Sequence, residues 1–313
     1  MQEGDGKEVM GNESMRKYMK VGIILHMAFR GLASGEGPIL ECLKKIVTDE
    51  YFEAVEVTWI RDQEVRKQAA DMIRCGHMEV AYGGQPRMLT TGGNINHLDE
   101  EKRLAALASL KEGIDEAYEM GAAGFSFLAG NYEKATRRQS LEALLKSSGE
   151  LCRYAKAKGD MPVTLEVFDY DIDKRSLMGP VKLVKEYAEI MTSEFDNFGL
   201  LVDCSHIPML HETFEENLMP VAPYIKHAHM GNTVIRKPSL PAYGDQHPRF
   251  GFPDSENDVK ELAHYLKVLL EIGFLSKESR PIVSFEVKPW KEEDSEVVIA
   301  NAKRTLNLAW DMI

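Results

Sequence analysis

The strongest constraint on the fold is an alternation that runs along nearly the whole chain. From Lys20 onward, short runs rich in aliphatic and β-branched residues alternate with longer stretches whose apolar residues recur at helical spacing. The runs are KVGIILHM (20–27), FEAVEVTWI (52–60), MEVAYGG (78–84), GAAGFSFLAG (121–130), PVTLEVFDY (162–170), FGLLVDCSHI (198–207), YIKHAHMGN (224–232) and RPIVSFEVKP (280–289). They are nearly continuous rather than strictly alternating, as parallel strands buried on both faces should be. Between them lie helical patterns, such as 98–121, with an Asp near its start and Gly121 as a stop, and 140–159, closed by Gly159. Eight such units predict an α/β fold of one domain, a closed (β/α)8 TIM barrel. No GxGxxG or GxxxxGK[ST] turn follows the first run, which argues against an open nucleotide-binding sheet.

A barrel of about 250 residues plus extensions accounts for the length. Residues 1–17 are polar and aperiodic and read as a flexible leader, leaving 18–313 for the barrel. Hydrophobic residues at 44% and charged residues at 28% exclude a disordered or fibrous chain. A formal net charge of −12 makes nucleic acid an unfavourable partner. No apolar run approaches the roughly 20 residues needed to span a bilayer, and no secretory layout opens the chain, so no membrane partner and a cytoplasmic location are expected. Cys42, Cys75, Cys152 and Cys204 are widely spaced and suggest neither disulfides nor a thiolate metal site.

In a barrel of this kind chemistry sits at the C-terminal ends of the strands. The last four runs carry Glu166, Asp203, His229 and Glu286 there, each interrupting apolar sequence whose burial would make a lone charge costly. Each alone has a plainer reading: an ion-pair partner for Glu166 or Glu286, a helix cap for Asp203, a hydrogen-bonded core histidine for His206 or His227. Their convergence on four consecutive strands points instead to a divalent metal. An oxygen-rich set with one imidazole suits Mn2+ first, with Mg2+, Co2+ or Zn2+ as alternatives. His227 lies two residues from His229 and faces the same way, so that one can ligate while the other, His227 as the candidate, binds substrate or a second metal. His26 and Trp59, at the ends of the first two runs, are candidates for the pocket wall. The stretch 233–258, rich in Pro and Gly, reads as a functional loop or lid over the mouth, with Asp245, His247 and Arg249 as its candidates.

These residues resemble the xylose-isomerase-like barrel superfamily, whose members include sugar isomerases and epimerases, inosose dehydratases and apurinic endonucleases. The resemblance covers nearly everything after residue 18 and rests on TLEVFD, LVDCSHIP, the HAH pair at 227–229, RFGFPD and SFEVKP. By likeness to the ketose 3-epimerases it implies Glu166, Asp203, His229 and Glu286 as metal ligands, Glu166 and Glu286 as the proton-transfer pair, and His206 and Arg249 as substrate contacts. The activity implied is a metal-dependent sugar or polyol isomerase or epimerase working through a metal-stabilised enediolate. The alternatives are a lyase or dehydratase acting on an inosose or a C-glycoside-derived keto sugar, and a multinuclear phosphoesterase with a second metal on His206, Asp245 and His247. The last lacks the extra histidines that the endonucleases place on strands three and four. A small carbohydrate is the expected partner, and a homo-oligomer is expected by analogy alone.

Overall fold

The computed structural model describes residues 13–313. Eight parallel strands form a single-domain (β/α)8 barrel: β1 (Lys20–Ile23), β2 (Ala54–Val57), β3 (Glu79–Gly83), β4 (Phe125–Leu128), β5 (Val163–Glu166), β6 (Phe198–Asp203), β7 (Ile225–Gly231) and β8 (Ile282–Glu286). From β2 to β8 each strand pairs with its successor, β8 pairs with β1, and β1 and β2 are joined by an isolated Ile24–Glu56 bridge. The strands are shorter than the apolar runs because several runs continue into a turn. After β1, for example, the chain turns at once into a short helix, Leu25–Ala28, which carries His26.

Local chemistry sets the helix limits. Asp99 accepts the amides of Glu101 and Lys102 to open the helix Glu100–Met120, and Gly121 ends it in the left-handed conformation (φ 72°). The helix expected over 140–159 spans Arg137–Lys156 instead, so Gly159 lies beyond its end. The apolar core fills the annulus between strands and helices, whereas the barrel interior is built largely of small and polar residues such as Gly22, Ala81, Ser126, Thr164 and Ser284.

The first twelve positions of the expected leader lie outside the described residues. Its last five are attached to the barrel: the Glu13 carbonyl accepts the Trp310 indole N–H at 2.8 Å, and Arg16 donates to the Glu50 carbonyl at 2.6 Å. No helix among the described residues is long and apolar enough to cross a membrane. The loop 233–258 contains no helix or strand of its own, yet it is packed and cross-tied. Asn232 Nδ2 donates to Arg249 O and Ser255 Oγ, and Asn232 Oδ1 accepts the amides of Thr233 and Asn257.

Candidate metal centre and active site

Strand register assembles the centre. Asp203 on β6 is aligned with His229 on β7, and Glu286 on β8 is aligned with Gly231. Gly231 leaves room that no side chain would: a Cβ there would lie 2.9 Å from Glu286 O, 3.1 Å from His247 Nδ1 and 3.2 Å from Asp203 Oδ1. Glu166, Asp203, His229 and Glu286 each offer one ligand atom within 4.8 Å of all the others. Glu166 Oε1, Asp203 Oδ2, His229 Nδ1 and Glu286 Oε2 are all buried and without a hydrogen-bond partner, although His229 Nδ1 stands 2.8 Å from Glu286 Oε2. Four mutually facing donor atoms left unpaired in the protein interior form a fitting cradle for a divalent cation.

The surroundings fix how these groups point. Gln85 Nε2 donates to Glu166 Oε2 at 2.7 Å, leaving Oε1 turned toward His229. His229 Nε2 lies 3.2 Å from both oxygens of Glu56, which can only accept, so Nδ1 faces the centre. Glu56 also accepts from His227 at 2.6 Å. Burial opposes its charge, but the two imidazoles outweigh that and hold the carboxyl well below its usual range. For Asp203, burial dominates, with Glu286 adding to it, and its carboxyl is pushed up. We expect Glu56→Gln to keep the fold but to weaken metal binding by about 10- to 100-fold, because the anchor that orients His229 is weakened. Titration against a chromogenic chelator measures this, and unchanged affinity would show that Glu56 does not orient the ligand.

A second group adjoins the first. His206 Nδ1 donates to Val167 O (2.9 Å), which turns Nε2 toward Asp245 Oδ1 at 3.0 Å, and His247 Nε2 lies 2.5 Å from the same oxygen. His247 adopts a left-handed backbone (φ 47°), a conformation that costs energy outside glycine. Burial disfavours both imidazolium charges, but Asp203 and Asp245 outweigh it at His206, and Glu286 and Asp245 at His247, raising them to about 10 and about 9. Asp245 Oδ2 meanwhile pairs with Lys174 at 2.7 Å. Asp169 builds the loop that delivers Lys174, accepting the backbone amides of Ile172, Asp173, Lys174 and Arg175.

The cavity above these groups measures about 190 Å³ and is lined by His26, Phe168, Lys174 and Lys288 together with Glu166, His229 and Glu286 of the centre. That is below the ~300–1,000 Å³ of drug-sized sites and suits a small polar molecule. His26 lies in the wall as expected; its burial lowers its pKa to about 4. Three expected pocket residues lie elsewhere. Trp59 donates its indole N–H to Ala33 O at 2.7 Å and stacks under Arg61 and Arg87. Arg249 is turned to Glu293 at 2.9 Å and to the carbonyls of Phe250 and Gly251. His227 sits one layer lower and borders a separate cavity of about 200 Å³ at the N-terminal end of the barrel. His206 touches the candidate ligands but lies behind Phe168, with ring centroids 4.3 Å apart. Cys204 is fully buried, its Sγ on Gly231 O, and burial pushes its thiol up, as suits an inert group. Glu56, Gln85 and Lys174 were not among the expected site residues.

A family model described as xylose isomerase-like TIM barrel matches residues 50–301. The chain belongs to that family. This member shows its fold in solved structures of low identity. The D-psicose 3-epimerase of Clostridium cellulolyticum H10, solved with D-tagatose, shares 14% identity at a TM-score of 0.69, covering 93% of this chain and 98% of that one. The IOLI protein with a binding zinc atom gives 15%, 0.71, 93% and 98%. The 3-keto-D-glucoside 4-epimerase from E. coli gives 15%, 0.63, 93% and 98%. No curated protein matches the sequence.

Proposed function

We propose that this family member is a divalent-metal-dependent isomerase or epimerase of a small sugar or polyol. The observation that carries the reading is the set of four unpartnered, buried atoms on Glu166, Asp203, His229 and Glu286, two of them on glutamates that reach the centre from different strands. These four residues would hold the ion, with Mn2+ as the first candidate and Mg2+, Co2+ or Zn2+ as alternatives; the zinc named for the IOLI structure supports a divalent ion. When bound, the ion supplies Lewis-acid stabilisation of negative charge developing on substrate oxygens. The second oxygens of the two glutamates, Glu286 Oε1 and Glu166 Oε2, the latter accepting from Gln85, would be the ones to move protons. One carboxylate removes a proton from the carbon beside the substrate carbonyl and the other returns one. Return on the opposite face gives an epimer, and return at the neighbouring carbon gives an isomer. Gln85 holds Glu166 in place, while His26 and Phe168 wall the cavity. The epimerases among the structures of like fold support this choice over elimination, which starts from the same proton removal.

The second reading, a binuclear phosphoesterase with another ion on His206, Asp245 and His247, is favoured by the convergence of their donor atoms. In that group Asp245 Oδ1 is shared by the two imidazoles and Oδ2 pairs with Lys174, so it presents no unpaired donor atom of the kind that marks the first centre. Incubation of the metal-loaded chain with a panel of ketoses and inososes in deuterated water tests the proposal. Deuterium should enter at the carbon beside the carbonyl with formation of an epimer or isomer. Two ions per chain with cleavage of phosphoesters, and no exchange into any sugar, would replace it with the second reading.

A further inference from the structure

Among 38 Lys and Arg against 50 Asp and Glu, cations held without a counter-ion are informative. Two ammonium groups line the site cavity, Lys174 and Lys288. Lys174 is accounted for by Asp245 at 2.7 Å and Asp173 at 3.5 Å. Lys288 is not: among the described residues no carboxylate lies within ion-pair distance, and its one hydrogen-bond partner is Gln246 Oε1 at 3.3 Å. It is half-buried, and its backbone is fixed where β8 ends, with its amide donating to His247 O at 2.7 Å. Two residues beyond Glu286 along an extended chain, it presents its side chain to the same cavity. Beside it stands Arg30, whose guanidinium donates to Pro289 O at 3.1 Å and likewise has no carboxylate partner among the described residues.

Withdrawing an ammonium group from water without a directly paired counter-charge is unfavourable, and Lys174 and Arg30 add to that cost while the more distant Asp245 and Glu286 offset part of it. A bound anion removes both penalties and gains charge-assisted hydrogen bonds. We infer that Lys288 forms a subsite for an anionic group on the substrate, a carboxylate or a phosphate. The inference rests on the proposed sugar chemistry and narrows its substrates to sugar acids or sugar phosphates.

The test is calorimetric binding of D-glucitol, D-gluconate and D-glucitol 6-phosphate to the metal-loaded full chain and to its Lys288→Met variant, which keeps the aliphatic stem. At least one charged probe should bind the wild type about tenfold or more tightly than D-glucitol. Lys288→Met should erase most of that advantage while retaining the metal and the neutral probe. The preferred probe tells carboxylate from phosphate. Equal binding of all three probes, or an advantage that survives in Lys288→Met, overturns the subsite and leaves the sugar reading standing. Binding of none overturns the subsite, whereas the sugar reading stands or falls on the deuterium exchange into ketoses and inososes.

Discussion

Glu286→Gln and Glu166→Gln should each lower turnover by about 10²- to 10⁴-fold, the loss expected when a positioned acid or base is removed. Glutamine preserves the volume and one oxygen, so the fold should be retained. At position 166 the new amide can still accept from Gln85, which already donates to that side chain. The amide cannot take or return a proton. The two variants should also differ from each other. Where the remaining glutamate is the one that removes the proton, the substrate should still exchange that hydrogen with deuterated water while forming no product. Where it is the one that returns it, exchange and turnover should vanish together. Proton NMR of one reaction reads both quantities, and a variant that turns over at the wild-type rate would exclude its glutamate from the pair.

Asp203→Asn should abolish stabilisation by metal. Asp203 Oδ1 accepts the Ser205 amide at 2.7 Å, a bond that an asparagine oxygen can keep, whereas Oδ2 is unpartnered and faces the centre. The substitution therefore leaves the local turn intact and removes one negative ligand. For the wild type, free ion at about 100 times its Kd should stabilise the fold by about 2.7 kcal/mol. This shows as a rise in Tm of several degrees over chelator-treated protein. The variant should show almost none of that rise, with elemental analysis recording the lost ion. An undiminished rise would mean that the ion binds elsewhere.

The barrel was legible because burying parallel strands on both faces requires nearly continuous apolar runs, and eight such runs leave little choice of architecture. The four donor residues were legible for the converse reason, since an acid or imidazole inside such a run needs compensation. What the strand pattern does not encode is depth along the barrel axis. His227 and His229 share a face, yet only His229 reaches the upper layer; His227 pairs with Glu56 below it. Glu56 gives the same signal as Glu166, an acid within AVEV, and could have been found by it. Trp59 and Gln85 follow strand ends and Arg249 lies within the 233–258 loop, where side-chain direction depends on distant partners: Ala33 O, Glu166 and Glu293 respectively. No local pattern contains that information.

The clamp formed by Asn232 bears on the order in which the site takes shape. One side chain binds the beginning and the end of the 233–258 loop, and Asn257 Nδ2 donates in turn to Cys204 O and Gly231 O at the ends of β6 and β7. Those acceptors hold their positions only once the two strands are paired, and closing a long connection before then would cost entropy with nothing to offset it. Asp203 and His229 are therefore brought together by sheet formation, while Asp245 and His247 arrive with the loop, so the centre matures from the barrel wall outward and its outermost groups are the last to find their places.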